Sequence, residues 1–316
     1  MNAYMTDSGG GRWALPGLTA WRLEYTAGTP CDSFWLRCPW DGENTARPAS
    51  WVGFLAEEKG ERIFTGVVDE CEVSLSPGGL TLEVSGRGMA ARLLDNEALG
   101  QDYLYATQAD ILRDHVTPYG IKAAPGGSLP PVAQFSVASG SSEWSVVYDF
   151  ARYYGGVAPR FDREGRLVLS GWDDSRERVI GDQTGVLAMT RRDRRYGVLS
   201  QVLVRDRWSG QMETLENRAF QALGGQARRV LTTPARNSYK AVRYSGQFQL
   251  ERSASELERV EATLGEVFSV WPGDLVTVQR SGWGWNGRYR AVQVMDGMDQ
   301  NGLWSRVELA KPDVLI

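Results

Sequence analysis

Residues 63–88, IFTGVVDECEVSLSPGGLTLEVSGRG, constrain the fold more than any other stretch of this chain. They read as an antiparallel β-hairpin with one apolar and one polar face. Val67, Cys71, Val73 and Leu75 alternate with Glu70, Glu72, Ser74 and Ser76. Pro77-Gly78-Gly79 supplies the turn. Leu80, Leu82 and Val84 then alternate with Thr81, Glu83 and Ser85. Side chains along a strand point to opposite faces with period two, so the pattern predicts one apolar stripe laid against a core. A short Gly-containing loop between two such runs is a common hairpin connection.

The same grammar frames the hairpin. Residues 18–25, 33–38 and 51–57 are strand candidates separated by turn-forming residues, and 89–95 is a short apolar helical turn. Residues 1–104 therefore read as a small antiparallel barrel module. From 105 to 175 the pattern changes. Thr107 is placed to cap a helix over about 108–116, which Pro118 and Gly120 stop. Ser142 is placed to cap a second, over about 143–153, ended by Gly155-Gly156. The two segments match at a fixed offset. Ile111 and Leu112 fall on Val146 and Val147, Asp114 on Asp149, Tyr119-Gly120 on Tyr154-Gly155, and Ala123 on Ala158. Each copy reads as a helix, a Tyr-Gly stop and a departing strand. A hairpin at 161–169, turning at Arg163-Glu164-Gly165, closes a small α/β domain.

Residues 176–316 return to β. Strands are predicted at 186–190 and 198–207, and a helix over about 236–249 with Gly246 as a weak point. A strand pattern starts at Leu257, turns at Trp271-Pro272-Gly273-Asp274, and continues as a meander of 275–279, 289–295 and 304–309 with Gly-rich loops. The segment 176–210 is open between joining this module and packing back onto the first. The predicted class is α+β, mainly β, with two small antiparallel β-barrel modules and a small α/β domain between them.

Composition narrows the function. A net charge of −4 argues against binding nucleic acid by neutralising phosphates. No apolar run is long enough for a membrane-spanning helix, so no membrane insertion is expected. The start, MNAYMTDSGGGRW, lacks the basic and apolar regions of a signal peptide. Cys31, Cys38 and Cys71 form no CxxC pair, which suits a reducing cytosol and matches no usual zinc spacing.

Candidate chemistry is sparse. Gly86-Arg87-Gly88-Met89-Ala90-Ala91 has the spacing of a dinucleotide-binding turn, but it follows the return arm of a hairpin rather than the first strand of a βαβ unit. A bend where the sheet ends explains the glycines better. His115, the single histidine, falls near a helix C-terminus, where the dipole favours an imidazolium. The carboxylates Glu57-Glu58, Asp69-Glu70-Glu72 and Asp173-Asp174 are candidates by type for glycoside hydrolysis, and most lie on polar strand faces or in turns. No catalytic residue, metal site or cofactor is predicted. Arg191, Arg192, Arg194 and Arg195 form the densest basic run, either a solvated loop or a docking point for an acidic neighbour. The twelve tryptophans suit interface hot spots, sugar-binding grooves or the filling of β cores. Trp271, Trp283 and Trp285 join the arginines as candidate interface residues.

Three features together make the chain resemble the baseplate hub proteins of phage tails and related contractile injection particles. They are FTGVVDECEVSLSPGGLTLEVSGRG with the following Leu93-Leu94-Asp95-Asn96, the paired helix-Tyr-Gly units followed by RFDREGRLVLS, and the terminal series PGDLVTV, NGRYRAVQV and NGLWSRVELA. The resemblance implies a structural protein of the virion tail, made and assembled in the host cytoplasm. It implies a homotrimer whose six barrels form a ring between the tail tube, or a distal tail protein, and the central spike. The ring would leave a channel for DNA or the tape-measure protein. Two other readings stay open on the residues alone: a tail-associated peptidoglycan hydrolase, and a carbohydrate-binding module built on Trp283 or Trp285.

Overall fold

The computed structural model describes residues 1–27, 31–41, 47–233, 241–255 and 257–314. Its dominant element is one large sheet that runs through both ends of the chain. In order across the N-terminal half lie Arg12–Ala14, Asn2–Asp7, Trp51–Glu58, Glu61–Ser76, Gly79–Gly88, Ser33–Pro39 and Ala20–Thr26. The sheet continues through Gly287–Asp299, Gly302–Ala310, Glu258–Leu264 and Val186–Asp193. Leu275–Gln279 pairs with Gly287–Asp299, and Glu177–Gly181 lies parallel to Leu275–Gln279. The two β modules are thus hydrogen-bonded into one open path of strands, where Trp21–Thr26 pairs with Gln293–Met298. They also share one buried core, from Met5, Phe54 and Leu82 to Ile180, Val294 and Leu309.

The two halves repeat one strand plan. In each, a long strand forms a hairpin with its successor through a two-residue turn, Ser76 opposite Gly79 and Asp299 opposite Gly302. Against its successor, each long strand shifts register once, between Val68 and Glu70 and between Ala291 and Gln293. Before the shift it pairs with a preceding strand, the last contacts being Gly53 with Val67 and Leu275 with Arg290. The return strand then pairs with Ser33–Pro39 in one half and with Glu258–Leu264 in the other. Next come Ala20–Thr26 and Val186–Asp193. The first strand of each plan differs, because Asn2–Asp7 runs antiparallel to its neighbour and Glu177–Gly181 parallel.

The opening hairpin departs from expectation at its tip. Leu82 and Val84 are buried, but Val73 is 37% and Leu75 80% exposed. Trp51–Glu58 covers the long strand only as far as Val67, so the outer side of residues 70–76 has no strand neighbour among the described residues. The apolar stripe therefore runs beyond the sheet that would bury it. Its base is packed hard. A side chain at Gly86 would lie 2.0 Å from the Val67 carbonyl oxygen and 2.6 Å from the Phe34 ring.

Between the halves, Gln108–His115 begins at Thr107 with a reciprocal capping box to Asp110, and Glu143–Tyr148 begins at Ser142, whose side chain accepts the Ser145 N–H. The internal match holds through the helices and slips at their ends. The first tightens into a 3₁₀ turn closed by Gly120 N–H donating to the Thr117 carbonyl. The second widens into a π-helical turn, Asp149–Tyr154, with Gly155 N–H donating to Phe150. The left-handed glycine is accordingly Gly120 in one copy and Gly156 in the other, one residue later than the repeat places it. The departing strand is present only in the second copy, as Arg160–Phe161 paired with Leu167–Val168. The first copy makes a single bridge from Ala123 to Leu167. These elements enclose a second core around Ile111, Phe150 and Leu167.

The C-terminal part holds a unit that the sequence pattern did not separate. Gln201–Asp206, Met212–Glu216 and Arg228–Thr233 form a three-stranded sheet, with a small core of Leu199, Val202, Val204 and Leu250. The helix expected over 236–249 runs instead as Gly246–Ala254, capped by the Ser245 side chain, and residues 234–240 lie outside the described residues. Gly246 opens that helix, where its lack of a side chain leaves room for Leu215 2.6 Å from the position a Cβ would take. Glu177–Gly181 and Val186–Asp193 join the C-terminal half of the large sheet rather than the first module.

Replacing Gly86 with Ala forces a methyl group against fixed backbone. It is expected to lower unfolding free energy by about 1–3 kcal/mol in urea denaturation, with the denaturant slope unchanged.

Candidate functional site

Two regions carry the features of a recognition surface: the free strand edges of the large sheet and a cleft where three parts of the chain meet. Val186–Asp193 pairs only with Glu258–Leu264, so its other side is open among the described residues. Leu187 on this strand is 68% exposed. The basic run, expected in a loop, begins inside the strand: Arg191 and Arg192 are paired residues, opposite Val260 and Arg259. The alternating pattern of 186–190 continues through these long side chains, because an edge strand tolerates charge on its solvated side. Arg194 and Arg195 follow it, both exposed, and the Arg194 N–H donates to the Leu257 carbonyl.

Arg191 also meets one of the candidate tryptophans directly and a second through it. Its guanidinium lies 5.0 Å from the Trp285 ring centroid and pairs with Asp193 at 3.0 Å and Glu258 at 3.5 Å. Trp283 meets Trp285 edge-on at 5.1 Å. Trp283 packs against the core, whereas Trp285 is 45% exposed. Trp271 lies apart from this group, edge-on to Tyr25 at 4.5 Å and beneath the Arg163 guanidinium at 4.0 Å.

Trp271 belongs to the cleft. Two adjoining cavities of about 240 and 290 Å³ share Tyr25, Ile63, Arg163, Arg176 and Trp271. The tip of the hairpin at 160–168 forms one wall, held by the Thr65 hydroxyl donating to the Arg163 carbonyl at 2.8 Å. The Asp162 carboxylate accepts the Glu164 and Arg166 N–H groups and stiffens that tip. Sequence patterning does not join the cleft, because its residues come from three distant parts of the chain and carry local signals of strand and turn rather than of a shared site.

The other candidates are accounted for by local structure. Gly88 ends its strand and donates its N–H to the Asp32 carbonyl. The helix after it, Ala91–Leu94, is one turn long. Arg87 is engaged by Asp69 and Asp95, both at 2.7 Å. This is a sheet end and not a phosphate cradle. Glu57 is paired with Arg12 and Arg62, and Asp174 with Arg290. Those guanidinium partners hold both carboxyls below the usual range. His115 is buried rather than set at a solvated helix end. Its Nδ1 lies 2.7 Å from Glu143 and its Nε2 3.0 Å from the Tyr103 hydroxyl. The Tyr119 hydroxyl donates to the same Glu143 at 2.7 Å. The network ties the two helices together, as buried polar groups require partners. Among the described residues no group of three or more His, Cys, Asp and Glu could hold a metal ion, and no helix is long and apolar enough to cross a membrane.

Asp296 lines the cleft from the long C-terminal strand and accepts the Ser305 hydroxyl. Burial pushes its carboxyl up to about 7, against about 3.9 in an unfolded chain. Between these values the folded protein holds a proton that the unfolded chain has released, so stability falls as pH rises. The contribution is whole below about pH 4 and lost once pH has passed about 7. Asp296→Asn is expected to flatten the pH dependence of urea denaturation over this window and to stabilise the protein at pH 8 by roughly 1–3 kcal/mol.

No protein-family model and no curated protein matches the sequence. Solved structures do match the fold. A tail protein from Neisseria meningitidis MC58 superposes with a TM-score of 0.75 at 16% identity, covering 99% of this chain and 98% of that one. The 43 kDa tail protein of prophage MuSo2 from Shewanella oneidensis gives 0.73 at 17% identity, covering 99% and 97%. The E. coli c3393 protein, a type VI secretion component similar in structure to the T4 tail proteins gp27 and gp5, gives 0.59 at 12%, covering 93% and 73%. Over nearly its whole length, the chain has the fold of phage tail proteins.

Proposed function

We propose that this chain is a structural hub subunit of a phage-type tail, joining the tail tube to the central spike as a ring-forming trimer around a channel. The observation that carries this reading is the fold shared end to end with two tail proteins. The strand plan supports it too, because a chain with two like halves contributes two like units to a ring. Three copies then offer six units to a six-fold tube and three-fold symmetry to a spike.

The role is one of assembly rather than turnover. Its partners are further copies of the chain, the tube or a distal tail protein, the spike, and the DNA or tape-measure protein that passes through the channel. Assembly takes place in the host cytoplasm, and the finished subunit resides in the virion tail. Exposed Arg192, Arg194, Arg195 and Trp285, with half-buried Arg191 and Trp283 against Trp285, have the make-up of an interface, since Arg and Trp dominate interface hot spots.

Mass measurement in solution with low-resolution imaging tests the reading. A trimer with a central hole is the expected outcome. A strict monomer at every concentration, alone and with the spike protein, would falsify the hub.

A further inference from the structure

The two-fold repetition of the strand plan leaves one position filled in one half and empty in the other. Aligning the halves on their register shifts and hairpin turns places Glu70 on Gln293, Val73 on Asp296 and Leu75 on Met298. In the C-terminal half, the strand after the shift is covered on its outer side by Ala20–Thr26. In the N-terminal half, residues 70–76 lack that neighbour among the described residues. The strand equivalent to Ala20–Thr26 is Val186–Asp193, since each follows the strand that pairs with the hairpin's return arm. Its outer side is open as well among the described residues. The two open edges lie on different halves of the same chain.

We infer that Val186–Asp193 of one copy pairs antiparallel with residues 70–76 of a second copy, in the register that Ala20–Thr26 adopts on Gln293–Met298 within the chain. The register follows from the internal pairing. Met298 opposite Trp21, Gly297 opposite Arg22 and Met295 opposite Glu24 translate into Leu75 opposite Met189, Ser74 opposite Thr190 and Glu72 opposite Arg192. One step beyond, Glu70 falls opposite Arg194. The chemistry of both faces fits. On one, Leu75, which is 80% exposed, meets Met189, and Val73 meets Arg191, whose aliphatic stem can cover it. On the other, two acidic residues meet two basic ones, and opposite charges directly across a strand pair attract. Glu72 and Arg192 form no ion pair among the described residues.

The contact is head-to-tail, so it builds a ring when the rotation closes. It repeats from chain to chain the step that joins the two halves within a chain. It also covers the long exposed edges that a lone chain would leave open to non-specific pairing. The pairing of edges comes from the internal repeat alone, and only closure in threes rests on the hub reading.

Charge reversal tests the register. Glu72→Arg and Arg192→Glu are each expected to weaken self-association by about tenfold or more, and the double reversal to restore it. Both side chains are exposed, so the fold is spared. In a Cys71→Ser background, Ser74→Cys with Thr190→Cys should oxidise to a closed covalent ring, whereas either cysteine alone should not. Rings that form normally in both single reversals, or a double cysteine variant that stays uncrosslinked within rings, overturn the edge pairing while leaving the hub reading intact. A wild-type chain that never self-associates overturns both.

Discussion

The structure depends on the pairing of Trp21–Thr26 with Gln293–Met298. These segments stand near opposite ends of the chain, and their ladder turns two β modules into one sheet over one core. Without it, the distal half of Gly287–Asp299 would be a bare edge. Val294 and Asp296, now buried, would face water. Everything inserted between the halves is positioned by that closure. The α/β domain rests its hairpin tip on Thr65 and Trp271, residues that belong to the two halves.

The long C-terminal strand works because it is thirteen residues long and changes register in the middle. Its first part serves Leu275–Gln279 and its second part serves the N-terminal half, both on the same side. The long N-terminal strand is built the same way but, among the described residues, is served on that side only along its first part. A bulge of this kind re-aims a strand at the rim of a sheet. Here it separates the part that packs within a unit from the part that reaches for the next one. One physical device therefore explains the internal junction and the exposed tip.

Much of the local structure was legible. The hairpin alternation, the caps at Thr107 and Ser142 and the C-terminal meander are short-range signals, read from residues a few positions apart. Misreadings arose where a distant neighbour decides the outcome. Val73 and Leu75 have the right periodicity for burial, but among the described residues no strand arrives to bury them. Arg191 and Arg192 read as a loop because charge is unexpected in a strand, yet the outer side of an edge strand is solvated. Gly297 reads as a loop glycine and stands inside a strand, where the Trp304 ring lies 2.4 Å from the position a Cβ would take. Trp271 stands out by residue type, but nothing in the sequence joins it to Arg163 and Tyr25, which meet it only in the fold.

By itself the sequence determined the mainly β character, the opening hairpin and the C-terminal meander, the capped helix starts at Thr107 and Ser142, and the two-part plan of like hairpins. Alternation, capping and turn chemistry act over a few residues and need no partner to be read. Tertiary structure alone decided which edges are filled. Pairing across the sheet is set by which strands meet, and a hydrogen-bonding edge looks the same in sequence whether a neighbour comes from the same chain, from another copy, or not at all.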